Sequence, residues 1–111
     1  MYFRLVLLLL MLISSNTVAL ARDSWIFHVV NRSSVAVKNF RTQENGKWSG
    51  NWIKGDIIRS GEKFEMDFGS SHGDCTVRTQ ITFTDGTYFD YDVDYCEVNV
   101  IVIREQKLTF E

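Results

Sequence analysis

Residues 75–96 read CTVRTQITFTDGTYFDYDVDYC, with Cys75 ten residues before Asp85 and Cys96 ten after Gly86. Asp-Gly between β-rich runs is a strong hairpin signal, because the central residues of a type I′ turn need positive φ. A two-residue loop pairs Thr84 with Thr87 and, counting outward, Cys75 with Cys96. The pair then falls at a non-hydrogen-bonded site, where side chains approach most closely. The only two cysteines of the chain therefore read as a disulfide closing one hairpin.

The same register sets Val77, Ile81 and Phe83 on the face of Asp90, Asp92 and Asp94, and turns Phe89, Tyr91, Val93 and Tyr95 away. A three-residue loop with a glycine bulge at Gly86 restores a common apolar face but moves the cysteines apart. A second bulge near the cysteines satisfies both demands. The register stays open between these solutions.

Period two continues outward from this hairpin. Trp25 to Val30 reads as a strand ending at the turn Asn31-Arg32-Ser33-Ser34, with Val35 to Phe40 as its hairpin partner. Glu44 to Gly55 reads as a long polar loop. Lys63 to Phe68 alternates cleanly between turn signals at Ser60-Gly61 and Gly69-Ser70-Ser71. Val98 to Ile103 is an apolar, β-branched run suited to a strand buried on both faces, and Lys107 to Phe110 reads as a short edge strand. Proline is absent, and no helical period of useful length occurs. The pattern predicts a small antiparallel β-sandwich of six to seven strands with one hairpin disulfide.

The N-terminus predicts where this domain works. Arg4, the apolar run Leu5 to Ile13 and the small-x-small pattern Ala19-Leu20-Ala21 form a secretory signal peptide over residues 1–21. A membrane span needs about 20 apolar residues, so no span is expected after cleavage. Residues 22–111 then form one domain in an oxidising compartment, periplasmic or secreted, where disulfides persist. Removing Arg4 from the 12 basic and 14 acidic residues leaves a net charge near −3. The basic residues concentrate in 22–64 and the acidic ones in 65–111. With no basic run and a negative net sign, nucleic-acid binding is not expected.

Three constellations are candidates for chemistry. Asp90, Asp92 and Asp94 share one strand face, which suits either a Ca²⁺ site or a solvated amphipathic face. Same-face side chains lie nearly 7 Å apart along a strand, too widely spread to converge on one ion. The solvated face is the expectation, salt-bridged to Arg78 or Arg104, with no metal or other cofactor. Trp48 and Trp52 flank Ser49-Gly50-Asn51, a loop that either plugs the open end of the sandwich or offers a recognition surface. Arg41, Asn45 and Asn51 are its polar neighbours. His28 and His72 lack the spacing of a metal pair, and no nucleophile elbow accompanies them. Asn31-Arg32-Ser33 fits the N-glycosylation pattern.

Asn31-Arg-Ser-Ser34, Trp48…Asn51-Trp52-Ile53, Gly61-x-x-Phe64…Phe68 and Cys75…Phe83-x-Asp85-Gly86…Cys96 occur in order. This ensemble resembles a family of small exported bacterial proteins of one β-sandwich domain, some of which carry an argininosuccinate-lyase label. A chain this small cannot build that enzyme's helical, oligomeric active site, so the label carries no weight. The resemblance implies fold and export, and brings no catalytic residues. The functional expectation is a non-enzymatic binding or interaction domain with a protein or cell-envelope partner. Its surface would be formed by Trp48, Asn51, Trp52, Asp90, Asp92 and Asp94. The alternative is a periplasmic inhibitor of a hydrolase, of the lysozyme-inhibitor kind.

Overall fold

The central hairpin resolves its own register conflict. In the computed structural model, which describes residues 24–111, Phe83 N–H donates to Thr87 O (2.8 Å) and Gly86 N–H to Phe83 O (3.0 Å). The loop is thus three residues long, and Gly86 takes the positive φ of 89° that a glycine bulge requires. Val77 faces Val93, Thr79 faces Tyr91 and Ile81 faces Phe89, so the apolar rows coincide. No second bulge is needed at the cysteines. The ladder ends at Thr76 and Asp94, and the Asp94 carboxylate accepts from Cys96 N–H at 3.0 Å. This side-chain turn swings Cys96 round to bond Cys75, with Cα atoms 5.1 Å apart. The disulfide stands; the direct 75–96 register does not.

Among the described residues, eight strands form two four-stranded sheets. β1 (Ile26–Asn31), β4 (Lys63–Asp67), β7 (Val100–Ile103) and β8 (Leu108–Phe110) make one, in the order β4-β1-β7-β8. β2 (Val37–Glu44), β3 (Lys47–Trp48), β5 (Thr76–Phe83) and β6 (Tyr88–Asp94) make the other, in the order β3-β2-β5-β6. The eighth strand is β3, which pairs with the end of β2 across Asn45-Gly46. Both turn residues have positive φ (52° and 76°), as a type I′ turn demands. The stretch expected to be all loop therefore opens with a hairpin.

Two pairings differ from expectation. β1 and β2 are not a hairpin: they lie in opposite sheets. The reason is Asn31, whose side chain is fully buried. Its amide donates to Val35 O and Ile58 O, both at 2.9 Å, and its Oδ1 accepts from Ser33 N–H (3.0 Å) and Ser33 Oγ–H (2.7 Å). This knot makes a corner that passes the chain from one sheet to the other. It also occupies the amide that glycosylation of Asn31 would modify. Secondly, β1 pairs antiparallel with β4 but parallel with β7, so the first sheet is mixed.

The core fills the space between the sheets. Phe27 and Val29 of β1, Phe40 of β2, Met66 of β4, Ile81 of β5, Val93 of β6 and Ile101 and Ile103 of β7 are all buried. Val102 points to the opposite face and is also buried, flanked in register by Val30 and Thr109. β7 is thus covered on both faces, as its continuous apolar sequence requires. The signal peptide expected over residues 1–21 lies outside the described residues. No helix among the described residues is long and apolar enough to cross a membrane.

Candidate functional site

The acidic row of β6 is occupied by structural work. Arg78 makes a bidentate pair with Asp90, Nε to Oδ1 at 2.9 Å and Nη2 to Oδ2 at 2.7 Å. That hydrogen-bonded guanidinium holds the Asp90 carboxyl below the usual carboxylate range. Asp92 stands opposite Arg78 in register, and Asp94 forms the turn that delivers Cys96. Asp94 lies close to the Cys75 and Cys96 sulfurs, but these are bonded to each other and supply no thiolate ligand. Asp85 serves its turn, accepting from Thr87 N–H (3.0 Å) and Thr87 Oγ–H (2.6 Å). The Thr87 hydroxyl, then its amide, lowers the Asp85 pKa.

Trp48 belongs to the outer face of the second sheet. The Arg41 and Arg78 guanidinium groups lie 5.6 and 5.3 Å from its ring centroid, within cation–π range. Arg41 Nη2 also donates to Gln80 Oε1 at 2.9 Å. The row Trp48, Arg41, Arg78 and Asp90 straps all four strands across that face.

Asn51 is a scaffold residue. Its Oδ1 accepts from Phe40 N–H (3.0 Å) and Ile53 N–H (3.1 Å), and its Nδ2 donates to Lys38 O (3.0 Å). These bonds staple the loop after β3 to β2. Ile53 enters the core, and Ile58 exchanges both backbone bonds with Val37 at 2.9 Å.

Trp52 lies where the two sheets part. Its Nε1–H donates to Thr42 Oγ1 at 2.9 Å, and its ring packs on Phe68 with centroids 4.6 Å apart. Phe68 contacts Phe27 (5.2 Å) and Tyr95 (4.9 Å) edge-on, and Trp25 stacks on Tyr95 at 6.5 Å. Burial pushes the Tyr95 hydroxyl far above the ordinary phenol range, and that hydroxyl shares a 2.7 Å hydrogen bond with Thr79.

This aromatic cluster floors an open cleft of about 600 Å³ at the end of the sandwich. Trp25, Trp52, Phe68 and Val77 line its apolar part; Glu44, Lys47, Ser70 and His72 stand among its polar lining. Trp48 forms part of the rim. Both flanking segments are pinned. Trp25 N–H donates to Ser70 O (3.0 Å) and Phe68 N–H to Trp25 O (3.1 Å), while Trp52 N–H donates to Phe40 O (2.8 Å). The Ser70 hydroxyl accepts from His72 N–H at 3.0 Å, and Gly73, at φ 112°, lets the loop pass close to the Glu44 carboxylate.

The structure thus separates the six expected surface residues. Trp48 and Trp52 meet at the cleft, Asn51 works on the backbone, and the three aspartates line the edge strand β6. The sequence reading missed Trp25, Glu44 and Phe68. Their shared signal is position: each stands at or beside a strand end that the sandwich brings to one pole. Comparison with family models, curated proteins and solved structures returned no match.

Proposed function

We propose that this protein is an exported, non-enzymatic binding module that recognises a cell-envelope component through the cleft at the open end of the sandwich. The observation that carries this reading is the cleft itself. It joins an aromatic floor to a small set of polar groups, the composition typical of ligand sites, at a volume within their usual range. Its flanking segments are tied to one another and to β2 by backbone bonds, so little ordering cost falls on the bound state. Two polar groups of the lining also serve the fold: Thr42 receives the Trp52 indole, and the Ser70 oxygen accepts the His72 amide while its O–H stays able to donate. Export is supported by the N-terminal pattern of Arg4, Leu5 to Ile13 and Ala19-Leu20-Ala21, and a disulfide suits an oxidising compartment.

Retention of the purified protein on isolated cell envelopes tests the reading. The wild type is expected to be retained, Glu44→Arg to be lost because it blocks the cleft mouth, and Asp92→Arg to behave as wild type. Retention of Glu44→Arg together with loss of Asp92→Arg would move recognition to the β6 edge. Failure of the wild type to be retained would overturn the proposal.

A further inference from the structure

We infer that the end cleft takes a neutral saccharide, its ring faces against Trp25 and Trp52 and its hydroxyls bonded at the rim by Glu44, Lys47 and Ser70. The inference rests on reading the cleft as the recognition site and names its ligand class. Three features of the lining converge. The Trp52 indole N–H is already spent on Thr42, so this ring offers carbon surface and no free donor. The aromatic floor therefore suits a ligand with apolar faces. At the rim, the Glu44 carboxylate and the Lys47 ammonium offset one another, which leaves no single-sign field to select an ionic ligand. A pure hydrocarbon would desolvate those two charged groups without pairing them, at a cost per group. A pyranose meets both conditions. It carries C–H groups on its faces and hydroxyls at its edge that donate to Glu44 and accept from Lys47 and Ser70.

The test is titration of the isotope-labelled protein with chitotriose, cellotriose and maltotriose in turn, to about 10 mM, well above the millimolar regime of weak binding. Saturable shifts of the Trp25 and Trp52 indole N–H and the Gly73 amide are expected with at least one trisaccharide. Glu44→Gln should weaken that binding about 5-fold, the loss of one hydrogen bond, while Tyr88→Ser, an exposed change on β6, leaves it unaltered. Co-sedimentation with purified cell-wall glycan, competed by the active trisaccharide, identifies an envelope glycan as source; trisaccharide binding without it identifies a free oligosaccharide. Both support the inference. Parallel titrations with benzyltrimethylammonium and hexanol separate it from the reading beneath. If either shifts these residues and no trisaccharide does, the saccharide is overturned and the recognition site stands. If no probe shifts them and envelope retention depends on Asp92, both fall.

Discussion

Replacing Asn31 by alanine tests the corner on which the two-sheet path depends. Four hydrogen bonds disappear, two donated to Val35 O and Ile58 O and two accepted from Ser33. Their loss is unequal. Ile58 O keeps the bond from Val37 N–H, and the Ser33 hydroxyl can turn fully to Val35 O, 2.9 Å away. Ser33 N–H alone is left buried and unpaired. Unsatisfied burial costs about 1–3 kcal/mol, and each remaining lost bond costs under about 1, so a loss of about 3 kcal/mol is expected. With a slope near 1 kcal/mol per molar urea for a small chain, the tryptophan-fluorescence midpoint falls by about 2–3 M. Asn31→Asp adds a sign. A carboxylate there is fully buried and faces two carbonyl oxygens it cannot donate to. This outweighs the two Ser33 bonds to Oδ1, so its folded pKa rises above the unfolded value. The variant is then least destabilised below the ordinary aspartate pKa and loses stability as pH rises through the raised value. Denaturation at about pH 3.5 and 7, each against the wild type, reads this difference. An alanine loss under about 1 kcal/mol, or an aspartate variant indifferent to pH, would refute the account of the corner.

Serine at both Cys75 and Cys96 should cost about 3 kcal/mol, because the bridge closes a loop of 21 residues' separation in the unfolded chain; urea titration of the oxidised wild type and the variant measures it. Trp52→Ala should cost about 2–3 kcal/mol, since the ring is half-buried on Phe68 and bonded to Thr42. Trp48→Ala removes the outward strap and a part of the exposed rim and should cost about 1 kcal/mol; equal losses in thermal melts would contradict the difference in their packing. Tyr95, held neutral by burial, contributes stability below the unfolded phenol pKa that is lost only as pH rises towards its raised folded value. Tyr95→Phe should therefore remove absorbance change only at the alkaline unfolding step, and a loss of phenolate signal from the native protein would contradict this.

The fold was legible where short-range chemistry sets it. Alternation located six long strands, and the equidistance of Cys75 and Cys96 from Asp85-Gly86 identified the bridge. The conflict of faces in that hairpin was visible too, and the glycine bulge at Gly86 was foreseen as what aligns the apolar rows. The second bulge expected near the cysteines is absent from the ladder, its place taken by the Asp94 turn. What stayed hidden was long-range. Nothing local reveals that Asn31 bonds Ile58, 27 residues away, and so the sheet change between β1 and β2 reads as a plain hairpin. The parallel β1–β7 pairing joins residues as remote in sequence as His28 and Val100 and has no local signal either. Asn45-Gly46 did carry a hairpin signal, overshadowed by the polarity of the stretch around it. For the site, the Trp48–Trp52 loop pointed to the right pole of the sandwich. Trp25, Glu44 and Phe68 could not be joined to it, because only the packed sheets bring those strand ends together. Asn51 looked like a recognition residue because an Asx staple and a ligand contact use the same amide.

Photo-crosslinking in cells tests the cleft as recognition site most directly. A benzophenone amino acid at position 72, on the cleft wall, should give a covalent adduct with an envelope component under illumination. The same group at position 92, on the β6 edge, should give none. An adduct from position 92 with none from position 72 would contradict the account.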